Sequence, residues 1–126
     1  MSIQLCKNCP TLIIFTNMQQ CRHCQALKPL LSDFLAGTDK ERGFHIMQID
    51  ANDADGRLKM QKFQISGVPT LLMYDTKNDE LFHYQGARTK DALSDAMFKI
   101  KRNKSHGFAT WEHTPRKIKT AYRRLK

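Results

Sequence analysis

A chain of 126 residues, 40% hydrophobic and 26% charged, has room for one globular core and little more. No apolar run approaches the roughly 20 residues of a membrane-spanning helix. The opening residues carry no basic stretch running into an apolar one, so a reducing, cytoplasmic setting is expected. The formal charge of +9 is lopsided: residues 1–100 carry 12 Lys and Arg against 11 Asp and Glu, net +1, and residues 101–126 carry 9 against 1, net +8. Basicity therefore belongs to a tail, which divides the chain into a domain at 1–102 and an extension at 103–126.

Thr11 to Thr16 is a continuous apolar, β-branched run, as a strand buried on both faces requires. Leu27, Leu30, Leu31, Phe34 and Leu35 then follow helical spacing, predicting a helix over about 22–36 that stops at Gly37 and kinks at Pro29. Phe44 to Asp50 reads as a second strand, and Asp53 is placed to cap a helix running to about Phe63. Gly67-Val68-Pro69 turns into a third strand at Thr70 to Tyr74. Asn78-Asp79 turns into a fourth at Leu81 to Gln85, closed by Gly86. Thr89 caps a helix whose Ala92, Leu93, Ala96, Met97 and Ile100 share one face.

The order β-α-β-α-β-β-α implies a right-handed parallel crossover followed by a hairpin, hence a four-stranded mixed α/β sheet with helices against it. Beyond Arg102 the periodicity is lost until Thr114-Pro115, an N-cap followed by proline at the first helical position, opens a basic amphipathic helix. That arm has several readings: a solvated helix docked by Ile118, Tyr122 and Leu125, a contact for nucleic acid, an anionic membrane or an acidic protein, or an arm whose Phe108 and Trp111 anchor it on the domain or pair in a dimer.

The cysteines form two C-x-x-C pairs, Cys6/Cys9 and Cys21/Cys24. Cys21 lies at a predicted helix start, where unpaired N–H groups favour a thiolate, and Arg22 and His23 add positive charge. Thiolate attacks disulfides, so Cys21 is the candidate nucleophile and Cys24, one turn deeper, the resolving thiol. A zinc half-site or two buried structural thiols would also explain such a pair. The four cysteines together outline a zinc site with a short spacer, and Cys6/Cys9 alone could be a second, peripheral dithiol that relays electrons or forms a disulfide, or two unremarkable thiols.

Context narrows the choice. Cys21-Arg22-His23-Cys24 after a buried strand, Pro29, Gln48-Ile49-Asp50, Gly67-Val68-Pro69-Thr70 and Gly86-Ala87 together resemble the thioredoxin and protein disulfide isomerase family over about residues 11–102. The resemblance implies a thioredoxin-like fold that starts late, without the extra strand and helix of full thioredoxins. It further implies a cis bond before Pro69, beside the cysteine pair, with Val68 pairing to substrate and Gly86 nearby. His23 matches the isomerase histidine, which implies a more oxidising pair than thioredoxin's roughly −270 mV. The expected activity is thiol–disulfide exchange with protein substrates, needing no organic cofactor or metal but a separate reductase or oxidase.

Three positions depart from the family. Gln20 stands where Trp usually precedes the first cysteine, Phe15 where a buried acid helps deprotonate the resolving thiol, and Ile46 where a lysine often pairs with that acid. These departures favour a rival in which the fold serves as a binding or assembly scaffold acting through its basic tail. The intact cysteine pair and Val68-Pro69 oppose it.

Overall fold

The computed structural model describes residues 9–37, 43–78 and 80–102, together with the backbone of a short strand at 112–113. In chain order the elements are β1 (Thr11–Thr16), α1 (Arg22–Gln25), α2 (Lys28–Leu35), β2 (His45–Asp50), α3 (Ala54–Lys62), β3 (Thr70–Asp75), β4 (Glu80–Tyr84), α4 (Lys90–Lys101) and β5 (Glu112–His113). The four predicted strands form a mixed sheet in the order β2-β1-β3-β4, and β5 adds a fifth at the β4 edge. β1 runs parallel to β2 and antiparallel to β3, and β3–β4 is the predicted hairpin.

The period-two alternation of strands sorts the core into two layers. Leu12 and Ile14 of β1 join Leu31, Phe34, Leu93 and Met97 on the face covered by α2 and α4. Ile13 and Phe15 join Ile49, Phe63 and Leu72 on the other face, beneath α3. β1 is buried along its whole length, which is why its sequence shows no polar alternation.

Several local expectations change. The single helix over 22–36 is two, because the chain tightens at Ala26–Leu27, where Leu27 N–H bonds to Cys24 O at 3.0 Å. Pro29 therefore falls in the first turn of α2, where its missing N–H has no helical partner to lose. Asp53 precedes α3 without making a side-chain cap, whereas Thr89 Oγ1 accepts from Ala92 N at 3.2 Å as predicted. The β3–β4 turn is organised by buried Asp75, which accepts from Lys77 N at 3.1 Å and from Asn78 Nδ2 at 2.8 Å. β5 lies inside the stretch expected to be irregular; His113 pairs with Phe82 and Glu112 with His83. The predicted basic helix after Thr114 and the anchors Phe108 and Trp111 lie outside the described residues.

Thr16 ends β1 fully buried, and its Oγ1 has no hydrogen-bond partner among the described residues. A buried hydroxyl without a partner carries a desolvation cost and no return. Thr16→Val keeps the side-chain shape and removes that oxygen, so stability should rise by about 1 kcal/mol. Urea unfolding measures it, as a higher midpoint at unchanged slope; a lower midpoint would mean that the hydroxyl is satisfied.

Candidate active site

The loop leaving β1 presents both cysteines. Asn17 folds it into a tight turn, its carbonyl accepting from Cys21 N at 2.9 Å and its Oδ1 from Gln20 N at 3.1 Å. Cys21 becomes the N-cap of α1 with an extended backbone, φ −106° and ψ 112°. Its sulfur takes the place usually filled by a capping oxygen, accepting from Cys24 N–H at 3.1 Å. Cys24 is fully buried, and its Sγ accepts from Asn17 N–H at 3.3 Å. Both are free thiols, Cys21 half-buried and Cys24 enclosed.

From the far side Val68 completes the site. The Val68–Pro69 peptide bond is cis, as the resemblance implies. The Cys21 thiol faces the Val68 carbonyl oxygen at 3.7 Å, although 47 residues separate them. Thr70 Oγ1 donates to Gly67 O at 2.6 Å and closes this turn. Phe15 sits beneath β1 in an edge-to-face contact with Phe63, ring centroids 5.4 Å apart. Ile46 packs in the opposite layer, so these two positions do not face one another.

These contacts drive the two thiols apart in acidity. A hydrogen bond from the Cys24 thiol chiefly lowers Cys21 below its ordinary 9.0; burial opposes it, and the backbone N–H groups of Cys24 and His23 and the Arg88 charge assist. Cys24 is pushed up to about 11, first by burial and then by its hydrogen bond and charge interaction with Cys21. The pair is thus one group ready to ionise beside one held protonated.

Two sequence expectations gain a different physical content. α1 is a single turn, so local N–H groups rather than a long helix dipole serve Cys21. The side chains of Arg22 and His23 are exposed, and the contribution traceable to His23 is its backbone N–H. The cation that acts on both cysteines is Arg88, which sequence reasoning missed. Its signal was faint: an arginine two residues after Gly86, in a turn remote along the chain from both cysteines.

The other pair is elsewhere. Cys9 is 1% exposed and disulfide-bonded, and its carbonyl accepts from Thr76 Oγ1 at 2.9 Å; Cys6 lies outside the described residues. β1 separates Cys9 from Cys21 by six extended residues, about 20 Å at the usual strand rise. Ligands of one tetrahedral zinc lie about 2.3 Å from the metal, so Cys9 and Cys21 cannot share one. Among the described residues no group of three His, Cys, Asp or Glu side chains converges as a metal site. No helix among them is long and apolar enough to cross a membrane.

A mixed sheet with a C-x-x-C turn at the end of the interior strand β1, facing a cis-proline turn, defines a thioredoxin-like domain. The family model for thioredoxin matches residues 3–99, and the chain belongs to that family. Among curated proteins it is similar to protein disulfide-isomerase of Triticum aestivum, 36% identical over 86 residues, covering 67% of this chain and 15% of the relative. Protein disulfide-isomerase erp38 of Neurospora crassa is 34% identical over 87 residues, covering 68% and 23%. The chain thus spans less than a quarter of either relative. Among solved structures, the first thioredoxin domain of mouse protein disulfide-isomerase A4 superposes with a TM-score of 0.62 at 20% identity, covering 86% of this chain and 75% of that one. A mutant thioredoxin from Halobacterium salinarum gives 0.55 at 22% identity, covering 75% and 76%. At these identities the structural likenesses speak to fold.

Proposed function

We propose that the chain is a thiol–disulfide oxidoreductase that exchanges electrons with protein substrates through Cys21 and Cys24. The observation that carries this reading is the placement of two free thiols one turn apart, Cys24 buried and Cys21 half-exposed and facing the Val68 carbonyl of a cis-proline turn. The Cys21 thiolate attacks a substrate disulfide, forming a Cys21–substrate bond and expelling the second substrate sulfur as thiolate. Cys24, deprotonated, then attacks Cys21 Sγ, closing the Cys21–Cys24 disulfide and releasing the first substrate sulfur. Two electrons pass to the substrate, and a separate dithiol system returns them to the pair. Val68, Pro69 and Gly86 shape the surface on which an extended segment would lie, and Arg22 and His23 add positive charge around it. We assign this chemistry to 1–102 and treat 103–126 as a basic extension with a separate partner, acidic protein, nucleic acid or membrane surface.

Reduction of insulin by dithiothreitol with catalytic amounts of the protein tests the assignment. Wild type should accelerate it, and Cys21→Ser should fall to the rate without protein, because a serine oxygen cannot form the mixed disulfide. With the first step limiting, the wild-type rate should climb with pH through a midpoint below 9.0, since thiolate is the reactive form and Cys21 is lowered from that value. Equal rates for the two proteins would end the reading.

A further inference from the structure

The peptide unit joining Thr16 to Asn17 is held at both ends. Its carbonyl oxygen accepts from Ala51 N–H, just past the end of β2, at 2.6 Å, and its N–H donates to Cys24 Sγ at 3.3 Å. A line of hydrogen bonds thus runs from the sheet to the buried sulfur, each polarising the next. Beyond this unit the chain turns at once. The Asn17 carbonyl accepts from Cys21 N–H at 2.9 Å, and Asn17 Oδ1 accepts from Gln20 N–H at 3.1 Å. Gln25 Nε2, at the end of α1, donates back to the Met18 carbonyl at 2.8 Å. Of the bonds that Asn17 makes, only the one through Oδ1 belongs to its side chain.

We propose that the Asn17 side chain is a positioning group for the resolving thiol: by accepting from Gln20 N–H it holds the 17–21 turn so that the Asn17 N–H stays aimed at Cys24 Sγ and supports the thiolate there. The role of Cys24 as resolving thiol rests on the function proposed above. A sulfur that must ionise while fully buried needs a donor in place of the water it has lost. Phe15 supplies no polar group at the position where the family carries an acid. The charges that bear on Cys24 are those of Cys21 on its own turn and of Arg88 ahead of α4; Arg22 and His23 on α1 are exposed. Once Cys21 is bonded to substrate its charge is gone, and the Asn17 N–H remains on the sulfur. Hydrogen bonds weaken steeply as they bend, so a turn free to open would lose much of that support.

The test is the ionisation of Cys24, followed through the NMR shift of its Cβ against pH in the Cys21→Ser background. There the neighbouring thiolate is absent, as it is in a mixed disulfide. The background is compared with and without Asn17→Ala or Asn17→Ser, and the Cys24 signal is assigned by its loss in Cys24→Ser. Alanine removes Oδ1, and the Cys24 ionisation constant should fall about fivefold, the weight of one net hydrogen bond, which moves the midpoint to higher pH. Serine can still accept from the Gln20 N–H through its hydroxyl and should recover most of that fall. An unmoved midpoint in Asn17→Ala, or a midpoint in Asn17→Ser displaced as far as in Asn17→Ala, would overturn the proposal. A lower melting temperature with an unmoved midpoint would do the same, since it would mark a purely structural role. No exchange takes place in this titration, so its outcome stands apart from the insulin assay.

Discussion

In the Cys24→Ser protein, reduction of a substrate disulfide should stop halfway, leaving the substrate bonded to Cys21. The first step needs only the Cys21 thiolate, which retains its bonds from the His23 and Cys24 backbone N–H groups and the Arg88 charge. The second step has no sulfur to perform it. Non-reducing electrophoresis should show a protein–substrate adduct that survives for hours and disappears with dithiothreitol, where wild type shows at most a trace. Absence of any adduct, with Cys21 still alkylating normally, would show that Cys21 does not attack disulfides.

Under the proposed exchange, the same geometry would account for how Cys24 becomes reactive in wild type. At about 11, the resolving thiol in the reduced pair is almost entirely protonated near neutrality. Of the three influences that raise it, two come from Cys21: the hydrogen bond between the sulfurs and the repulsion of the Cys21 charge. Both vanish once Cys21 is covalently bonded to substrate, leaving burial opposed by the Asn17 N–H bond and by Arg88. Formation of the mixed disulfide thus itself makes Cys24 easier to ionise, in a domain where Phe15 occupies the family's usual acid position.

Gly56→Ala should be among the most damaging single substitutions in the domain. Gly56 is buried in the first turn of α3, and a Cβ there would lie 1.8 Å from the Asp50 carbonyl oxygen and 2.7 Å from its carbonyl carbon. Both atoms belong to the backbone at the end of β2, so no rotamer relieves the clash. The helix would have to lift away from the sheet edge that carries Ile49 into the second core layer. A loss on the order of 3 kcal/mol follows, at the upper end of overpacking penalties. For a domain of this size that is a fall in melting temperature of roughly 12–24 °C. An unchanged melting temperature would mean that α3 is not seated this closely on β2.

Much of this architecture was legible in the residues because burial writes itself as periodicity. Ile13 and Phe15 against Leu12 and Ile14, or Leu93, Ala96, Met97 and Ile100 on α4, follow directly from strand and helix repeats. The break between α1 and α2 was not legible, because the apolar spacing of Leu27, Leu31 and Phe34 begins only at the start of α2 and carries no information about the turn before it. Pro29 signalled a disturbance without saying that the helix would restart just ahead of it. β5 was hidden for a different reason: a two-residue strand borrows its stability from the β4 edge and needs no pattern of its own. In the site, the cysteines and Val68-Pro69 stood out by residue type. Arg88 did not, since the influence of its charge on the cysteines depends on a turn remote from them along the chain.

β5 has one more consequence, for what the sheet offers to its surroundings. β4 would otherwise be an outer strand with a row of unsatisfied N–H and C=O groups, flanked by the apolar side chains of Leu81 and Phe82. By pairing with Phe82 and His83, the C-terminal segment blunts that row where β4 is most apolar. Two residues of the segment that brings the positive charge to this protein therefore also cover part of the backbone rim at which another strand could otherwise add.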